Sequence, residues 1–189
     1  DRVVVTEFFS YGCGHCYNFE PLLESFDARL PDGVVLQRTP VIWNNNPGMK
    51  LLAKTYYAVE VLDVFEPVHG AVFNAIHRQR KRLSSPEAVK AVFVENGVSD
   101  SDFDRAFGSF GIDSMVRQAA ARTEGARING TPSLMVNGKY RIDTRQAGSQ
   151  ANMLKIAAFL ADKELARLAG AAGAAGEALP AAVRHGVQR

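Results

Sequence analysis

The sequence predicts an α/β fold in which a helical domain interrupts a domain that contains strands. Val3–Phe9 and Val34–Val41 are apolar and rich in β-branched residues, and a helical pattern separates them, as in a β-α-β unit. Strand patterns return only at Ser133–Val136 and Lys139–Ile142. The long segment between these two parts has helical spacing throughout, so we interpret it as an inserted helical domain.

The composition fits a packed domain of ordinary size. The chain has 189 residues, of which 47% are hydrophobic, and a net charge of +2. This charge gives no indication of a nucleic-acid partner or of an anionic membrane surface. The sequence shows no apolar run near the ~20 residues that a membrane span needs. The chain begins at Asp1, just before a strand, which we interpret as a mature or trimmed chain that is silent about export.

The remaining elements follow from periodicity and from Pro and Gly signals. After the first strand, apolar residues at spacings of three and four predict a helix from Gly14 to about Leu30. Asn137–Gly138, between the last two strand patterns, is typical of a type I′ hairpin turn. Further helices are expected at 49–62, 67–82, 86–95, 100–109, 111–124 and 151–168. We therefore expect three parts: a discontinuous domain of 1–43 with 125–169, an inserted domain of 44–124, and a low-complexity tail of 170–189 outside the fold.

Both cysteines of the chain, Cys13 and Cys16, lie where the first strand ends and the first helix begins. There the first thiol meets unpaired backbone N–H groups and the positive end of the helix dipole, which favour the thiolate. Cys16, one turn later, is placed to resolve a mixed disulfide formed at Cys13. His15 lies between the two cysteines, and its imidazole would stabilise the thiolate further. The pattern predicts redox chemistry.

Other interpretations of the cysteine pair fit less well. A structural zinc site normally needs four Cys or His ligands, and His69, His77 and His185 show no ligand spacing. A c-type haem site needs a histidine directly after the second cysteine, and that residue is Tyr17. A purely structural disulfide across so small a loop would restrain little chain entropy. We expect no metal and no cofactor.

Thr131–Pro132 is the second notable feature. Pro132 precedes a predicted strand, in a place where a backbone N–H would normally join the ladder. A cis peptide bond would explain the proline, since cis bonds are essentially a proline phenomenon. An ordinary trans turn is the alternative.

Three stretches, "EFFSYGCGHCYNFEP", "RLPDGV" and "GTPSLMVNGKY", resemble the bacterial periplasmic DsbA thiol–disulfide oxidoreductases. The resemblance runs from about Val3 to Leu168 and includes the helical insertion. It implies a thioredoxin-like fold with an inserted helical domain. Two differences leave the redox potential open: Gly14–His15 replaces the Pro-His of the best-known members, and Thr131 stands where some members have Val.

The resemblance also implies roles for individual residues. Cys13 becomes the exposed nucleophile, Cys16 the buried resolving cysteine, and His15 the residue that tunes the pair. Thr131 and Pro132 form the loop that faces the disulfide, where the substrate backbone docks. The family's buried charges beneath the site match Glu7, Glu20 and Arg38.

The function that we expect is donation of a disulfide to reduced, unfolded exported proteins in the periplasm. By resemblance, a membrane DsbB-type, quinone-linked oxidase would restore the disulfide, and the protein would be a monomer without a nucleic-acid partner. The alternatives are a disulfide reductase or isomerase of milder potential, and a chaperone that holds peptides while its thiols are incidental.

Overall fold

The computed structural model describes residues 2–177 and contains a four-stranded mixed sheet. The strands are β1 (Val3–Phe9), β2 (Val34–Pro40), β3 (Ser133–Val136) and β4 (Tyr140–Asp143). Their order is β2-β1-β3-β4, with β2 parallel to β1, and with β3 antiparallel to both β1 and β4. The mixed sheet agrees with the predicted α/β fold. Strand β1 is apolar and lies inside the sheet, between β2 and β3.

The helices surround this sheet and fill the segment between β2 and β3. Helix α1 connects the two parallel strands, and α8 packs on β1 and β3. In chain order the helices are α1 (Gly14–Asp27), α2 (Pro47–Val61), a π-helical turn (Phe65–His69), α3 (Gly70–His77), α4 (Pro86–Glu95), α5 (Asp100–Phe107), α6 (Phe110–Gly125), α7 (Thr144–Ala147) and α8 (Gln150–Glu177). Within residues 2–177, the structure has no helix that is both long enough and apolar enough to cross a bilayer.

The two ends of β1 contribute to different hydrophobic cores. Val3 and Val5 are fully buried against α1 and α8. Phe9, at the other end of the strand, packs into the core of the helices between β2 and β3, together with Phe73. Strand alternation places Glu7 on the same face as Val3, Val5 and Phe9, so a carboxyl group occupies a core position.

The π-helical turn was not expected from the sequence. A single helix was predicted over 67–82, but the structure has the wide turn Phe65–His69 followed by α3, which ends at His77. Such turns are inserted where tertiary packing outweighs regular helical hydrogen bonding, often at functional sites. Sequence periodicity cannot identify the insertion.

The hairpin between β3 and β4 has the predicted turn. Asn137 and Gly138 both have positive φ angles, of 52° and 68°, as a type I′ turn requires. The side-chain amide of Asn137 also donates to Glu164 of α8 at 2.9 Å.

The predicted tail begins within a helix. Helix α8 continues to Glu177, so the last helix extends beyond its predicted end near Leu168 and residues 170–177 are helical. Their place outside the packed fold stays a prediction. Alanine has the highest helix propensity, and extending an existing helix requires no new nucleation, which outweighs the cost of the interspersed glycines. The rest of the predicted tail, 178–189, lies outside the described residues.

Helix α8 offers a direct test of the core beneath the sheet. Met153 is fully buried there, so Met153→Ala should lower the free energy of unfolding by about 2–5 kcal/mol. Ile156→Ala, on the same helix at 38% exposure, should cost less than about 1.5 kcal/mol. Urea unfolding of both variants measures the difference, and equal losses would contradict this packing.

Candidate active site

Cys13 is the N-cap residue of α1, and this position explains its chemistry. Its backbone is extended, and its sulfur accepts a hydrogen bond from the backbone N–H of Cys16 at 3.3 Å. A sulfur at this position accepts hydrogen bonds from the free backbone N–H groups of the first turn and lies at the positive end of the helix dipole. Cys16, inside the helix, is fully buried, and both cysteines are free thiols in the structure.

The two thiols therefore differ in acidity. The pKa of Cys13 falls from its ordinary value near 9 to about 5. The hydrogen bond from the Cys16 thiol is the largest cause; burial opposes it, and Thr131 and the backbone N–H groups of Cys16 and His15 reinforce it. Burial is also the main reason why the pKa of Cys16 lies far above that of an ordinary thiol. At neutral pH the reduced pair thus consists of a thiolate and a buried thiol.

The loop before β3 faces the reactive sulfur. The Thr131–Pro132 peptide bond is cis, as predicted, and the carbonyl oxygen of Thr131 lies 3.5 Å from Cys13 Sγ. A shallow cleft of about 320 Å³ runs along this loop. It is lined by 129–133 and 143–145. The backbone at Thr131 is consequently next to any molecule that reaches Cys13.

His15 contributes through its backbone. Its side chain is exposed, and among residues 2–177 its imidazole makes no hydrogen bond or ion pair. Its carbonyl oxygen accepts a hydrogen bond of 2.8 Å from the side chain of Gln150, at the start of α8. Gln150 thus joins the first turns of α1 and α8, a contact that no sequence pattern indicates. The tuning role of the His15 imidazole stays a prediction.

The predicted buried charges do come together. Glu7 of β1 lies directly opposite Arg38 of β2 in the parallel ladder, and Arg38 Nε is 3.5 Å from Glu7 Oε2. Arg38 Nη2 also donates to Oε1 of Glu20, from α1, at 2.6 Å. Glu7 is fully buried, and Glu20 and Arg38 are nearly so. One guanidinium therefore serves two carboxyl groups beneath the active-site helix.

The sequence analysis missed two members of this cluster. His69 Nε2 lies 3.2 Å from Glu20 Oε1, and His69 Nδ1 is 2.8 Å from the hydroxyl group of Tyr11. Both side chains are buried, at 1% exposure each. A signal did exist, because His69 falls at helical spacing between two core aromatics, Phe65 and Phe73. Only the fold, however, brings His69 to Glu20.

The pKa values of the two carboxyl groups, Glu7 and Glu20, are shifted in opposite directions. Burial, followed by the charge of Glu20, raises the pKa of Glu7 to about 8, although Arg38 opposes the shift. Burial alone would also raise the pKa of Glu20, but the contacts with His69 and Arg38 outweigh it and lower that pKa. Glu7 is therefore mostly protonated at neutral pH while Glu20 is a carboxylate. Such opposed pairs are typical of sites that exchange protons.

These observations define the chemistry available. The site has a stabilised thiolate, a buried partner thiol, and a carboxyl group near neutral pKa whose charge acts on both sulfurs. Within residues 2–177, the structure contains no cluster of three or more His, Cys, Asp or Glu side chains that could hold a metal ion. The arrangement can perform thiol–disulfide exchange with proton transfer.

Comparison with known proteins agrees with the geometry. A family model described as a DSBA-like thioredoxin domain matches residues 33–156. The thiol:disulfide interchange protein DsbA of Pseudomonas aeruginosa is 36% identical over 169 residues, which cover 87% of this chain and 77% of that protein. The chain belongs to the DsbA family. The corresponding protein of Bordetella parapertussis is 37% identical, over 82% of this chain and 73% of the relative.

Solved DsbA structures share the fold. The crystal structure of Pseudomonas aeruginosa DsbA superposes with a TM-score of 0.84 at 34% identity, covering 88% of this chain and 86% of that one. The oxidoreductase NmDsbA1 of Neisseria meningitidis gives a TM-score of 0.75 at 28% identity, over 86% and 83% of the two chains. The fold is thus thioredoxin-like, and the protein is a thiol:disulfide oxidoreductase of the DsbA family, whose Cys-x-x-Cys pair is Cys13 and Cys16.

The acidity of Cys13 can be measured by alkylation of the reduced protein. We expect the labelling rate to follow a titration with a pKa of about 5, and Cys16 to remain unlabelled because it is fully buried. Mass spectrometry of iodoacetamide adducts across pH gives both results. Labelling of both sulfurs with an ordinary thiol pKa of ~8.5 would contradict the assignment.

The buried carboxyl group predicts a pH-dependent stability. Because the pKa of Glu7 is raised from 4.5 to about 8, its protonated form stabilises the fold at low pH, and this contribution is lost as the pH rises through 8. Glu7→Gln stays neutral. Its free energy of unfolding relative to the wild type should therefore increase between about pH 5 and pH 9, by on the order of 1–4 kcal/mol.

The matched control for this measurement is Glu24→Gln, on the exposed side of α1. Its stability relative to the wild type should stay constant across the same pH range. Denaturant unfolding at a series of pH values distinguishes the two variants. A constant difference for Glu7→Gln would show that Glu7 ionises normally in the folded protein.

Proposed function

We propose that this protein donates its Cys13–Cys16 disulfide to reduced, unfolded exported proteins in the periplasm. The observation that carries the proposal is the low pKa of Cys13, about 5, in the reduced form. A stabilised thiolate favours the reduced enzyme, and a disulfide whose reduced form is favoured is a strong oxidant. The same observation argues against a reductase, because in a reductase the disulfide form is favoured over the reduced form.

The exchange has two steps. A substrate thiolate attacks Cys13 Sγ, the Cys13–Cys16 bond breaks, and the electron pair leaves on Cys16, which must then take a proton because of its high pKa. A second substrate thiolate attacks the substrate sulfur of the mixed disulfide. Cys13 departs as a thiolate, and the substrate keeps the new disulfide.

Glu7 is suited to supply the proton that Cys16 takes. It is fully buried, its pKa of about 8 leaves it protonated at neutral pH, and its charge acts on Cys16. Among the described residues neither of its carboxyl oxygens has a hydrogen-bond partner. A carboxyl group without fixed partners can exchange its proton with little rearrangement. Glu20, which stays a carboxylate, and the Arg38 cation keep the local charge balanced during this transfer.

The cleft at the cis-proline loop suits an extended substrate segment. The carbonyl group of Thr131, 3.5 Å from the Cys13 sulfur, would pair with the substrate backbone as in an added strand. Backbone recognition reads little sequence, as a catalyst for many clients requires. By family membership, reoxidation would come from a membrane quinone-linked oxidase of the DsbB type, with this protein acting as a monomer.

The reduction potential tests the direction of exchange. Equilibration with glutathione should give a value above about −180 mV, that of protein disulfide isomerase; DsbA itself is the reference oxidant of this kind, at about −120 mV. A value near that of thioredoxin, about −270 mV, would identify a reductase instead.

Trapping tests whether the protein acts on exported proteins. Cys16→Ala cannot close the internal disulfide, so in an exporting cell it should accumulate mixed disulfides, visible as reducible high-mass bands. Cys13→Ala is the matched control and should accumulate none. If Cys16→Ala forms no adducts while the potential is oxidising, the exported proteins are not its substrates.

A further inference from the structure

His69 comes from the helical segment between β2 and β3, yet it lies against the charges of the sheet and α1. The π-helical turn presents two side chains on one side, since the rings of Phe65 and His69 stack at 4.2 Å with an angle of 18°. Phe65 also lies under the Arg38 guanidinium, 4.8 Å from the ring centroid. The turn therefore covers both the cation and, through His69, the carboxylate of Glu20.

The contacts of His69 orient its ring. His69 Nε2 lies 3.2 Å from Glu20 Oε1, an ion-pair distance without hydrogen-bond geometry. Because a carboxylate repels a nitrogen lone pair and can only accept, we assign the proton of the neutral ring to Nε2. In the neutral ring Nδ1 is then an acceptor, and the Tyr11 hydroxyl group donates to it at 2.8 Å. In the charged ring the direction of that second bond reverses. In either state His69 presents an N–H group to Glu20, and Tyr11 maintains the tautomer.

Arg38 is shared unequally between the two carboxyl groups. Its distance to Glu20 is 2.6 Å, whereas its distance to Glu7 is 3.5 Å. Any change that makes Glu20 a stronger competitor for Arg38 leaves Glu7 with less compensation. His69 is the other cationic or donor group that contacts Glu20, so it determines how much of the Arg38 charge Glu20 requires.

We propose that His69 is a positioning residue for disulfide exchange, which satisfies Glu20 and so controls how Arg38 is divided between Glu20 and Glu7. Through this division the helical segment sets the proton exchange at Glu7. The inference rests on the proposed function, because it concerns the proton that accompanies that reaction. The titratable groups that contact His69 are Tyr11 from the loop after β1, Glu20 from α1 and Tyr56 from α2. Behind them lie Arg38 from β2, which contacts both Glu20 and Glu7 of β1, and Glu60 of α2, whose charge acts on Tyr56.

Two substitutions at His69 separate its contacts. The amide of Asn ends near the Nδ1 position and reaches Tyr11 only, whereas the longer Gln ends near Nε2 and reaches Glu20. The readout is the pKa of Glu7 in the reduced protein, followed by NMR of its labelled carboxyl carbon. His69→Asn should raise this pKa from about 8 by about half a unit or more, since uncompensated carboxylates disfavour a second charge. His69→Gln should reverse most of that increase.

Two further variants test whether the effect of His69 on Glu7 passes through Glu20. In a Glu20→Gln background, His69→Asn should produce no additional shift, because the effect acts through the Glu20 charge. Gln79→Asn, an exposed neutral change just beyond the C-terminal end of α3, is the control and should leave the titration of Glu7 unchanged. Equal shifts for His69→Asn and His69→Gln, or a shift that persists without the Glu20 charge, would overturn the proposal.

If His69→Asn does not fold, Tyr11→Phe decides the question. It removes only the hydroxyl group from a ring that remains packed at 5.3 Å from Phe9 and 4.9 Å from Phe73. Loss of the fixed tautomer should raise the pKa of Glu7, as His69→Asn does. An unchanged pKa of Glu7 would refute the role of His69. These titrations need no substrate, so they remain decisive even if the reduction potential shows that the protein is not an oxidase.

Discussion

Burial of the Glu7 carboxyl group in the central strand constrains the surrounding structure. The parallel register places Arg38 opposite Glu7, and Arg38 in turn holds Glu20 of the helix that carries both cysteines. Three elements are thereby aligned on one guanidinium. Buried ion pairs seldom stabilise a protein more than apolar side chains of the same volume would. This is consistent with our proposal that the cluster acts on protons and charge near the sulfurs.

The unequal cysteines follow from a single helical turn. Cys13 lies at the N-cap, where its sulfur accepts from backbone N–H, and Cys16 lies inside the turn with no exposed surface. The same short spacing that lets the sulfurs bond also gives their pKa values opposite shifts. Access therefore favours attack at Cys13 in the first step, where Cys16 leaves and must take a proton. In the second step the stability of the Cys13 thiolate favours its departure, which gives the exchange a direction.

Local signals were sufficient for much of the fold and for the chemical groups of the site. Helix 86–95 and strand 133–136 have the predicted bounds, because a Ser-Pro start and a hairpin turn define them locally. The π-helical turn and the contacts of His69 and Gln150 could not be predicted. Tyr11 and His69 are 58 residues apart, and Gln150 and His15 are 135 apart, so only tertiary packing brings them together. The cis bond was predicted, but from resemblance more than from local sequence.

The helical segment affects the chemistry as well as covering the sheet. Phe65 and His69 keep Arg38 and Glu20 away from solvent, and electrostatic interactions between charges strengthen as water is excluded. Without this cover, the pKa of Glu7 would move towards that of an ordinary carboxyl group, because burial is the main cause of its shift. Glu7 would then be ionised at neutral pH and could not give a proton to Cys16. The docking of the helices on the sheet is therefore a condition for the proton transfer that we propose.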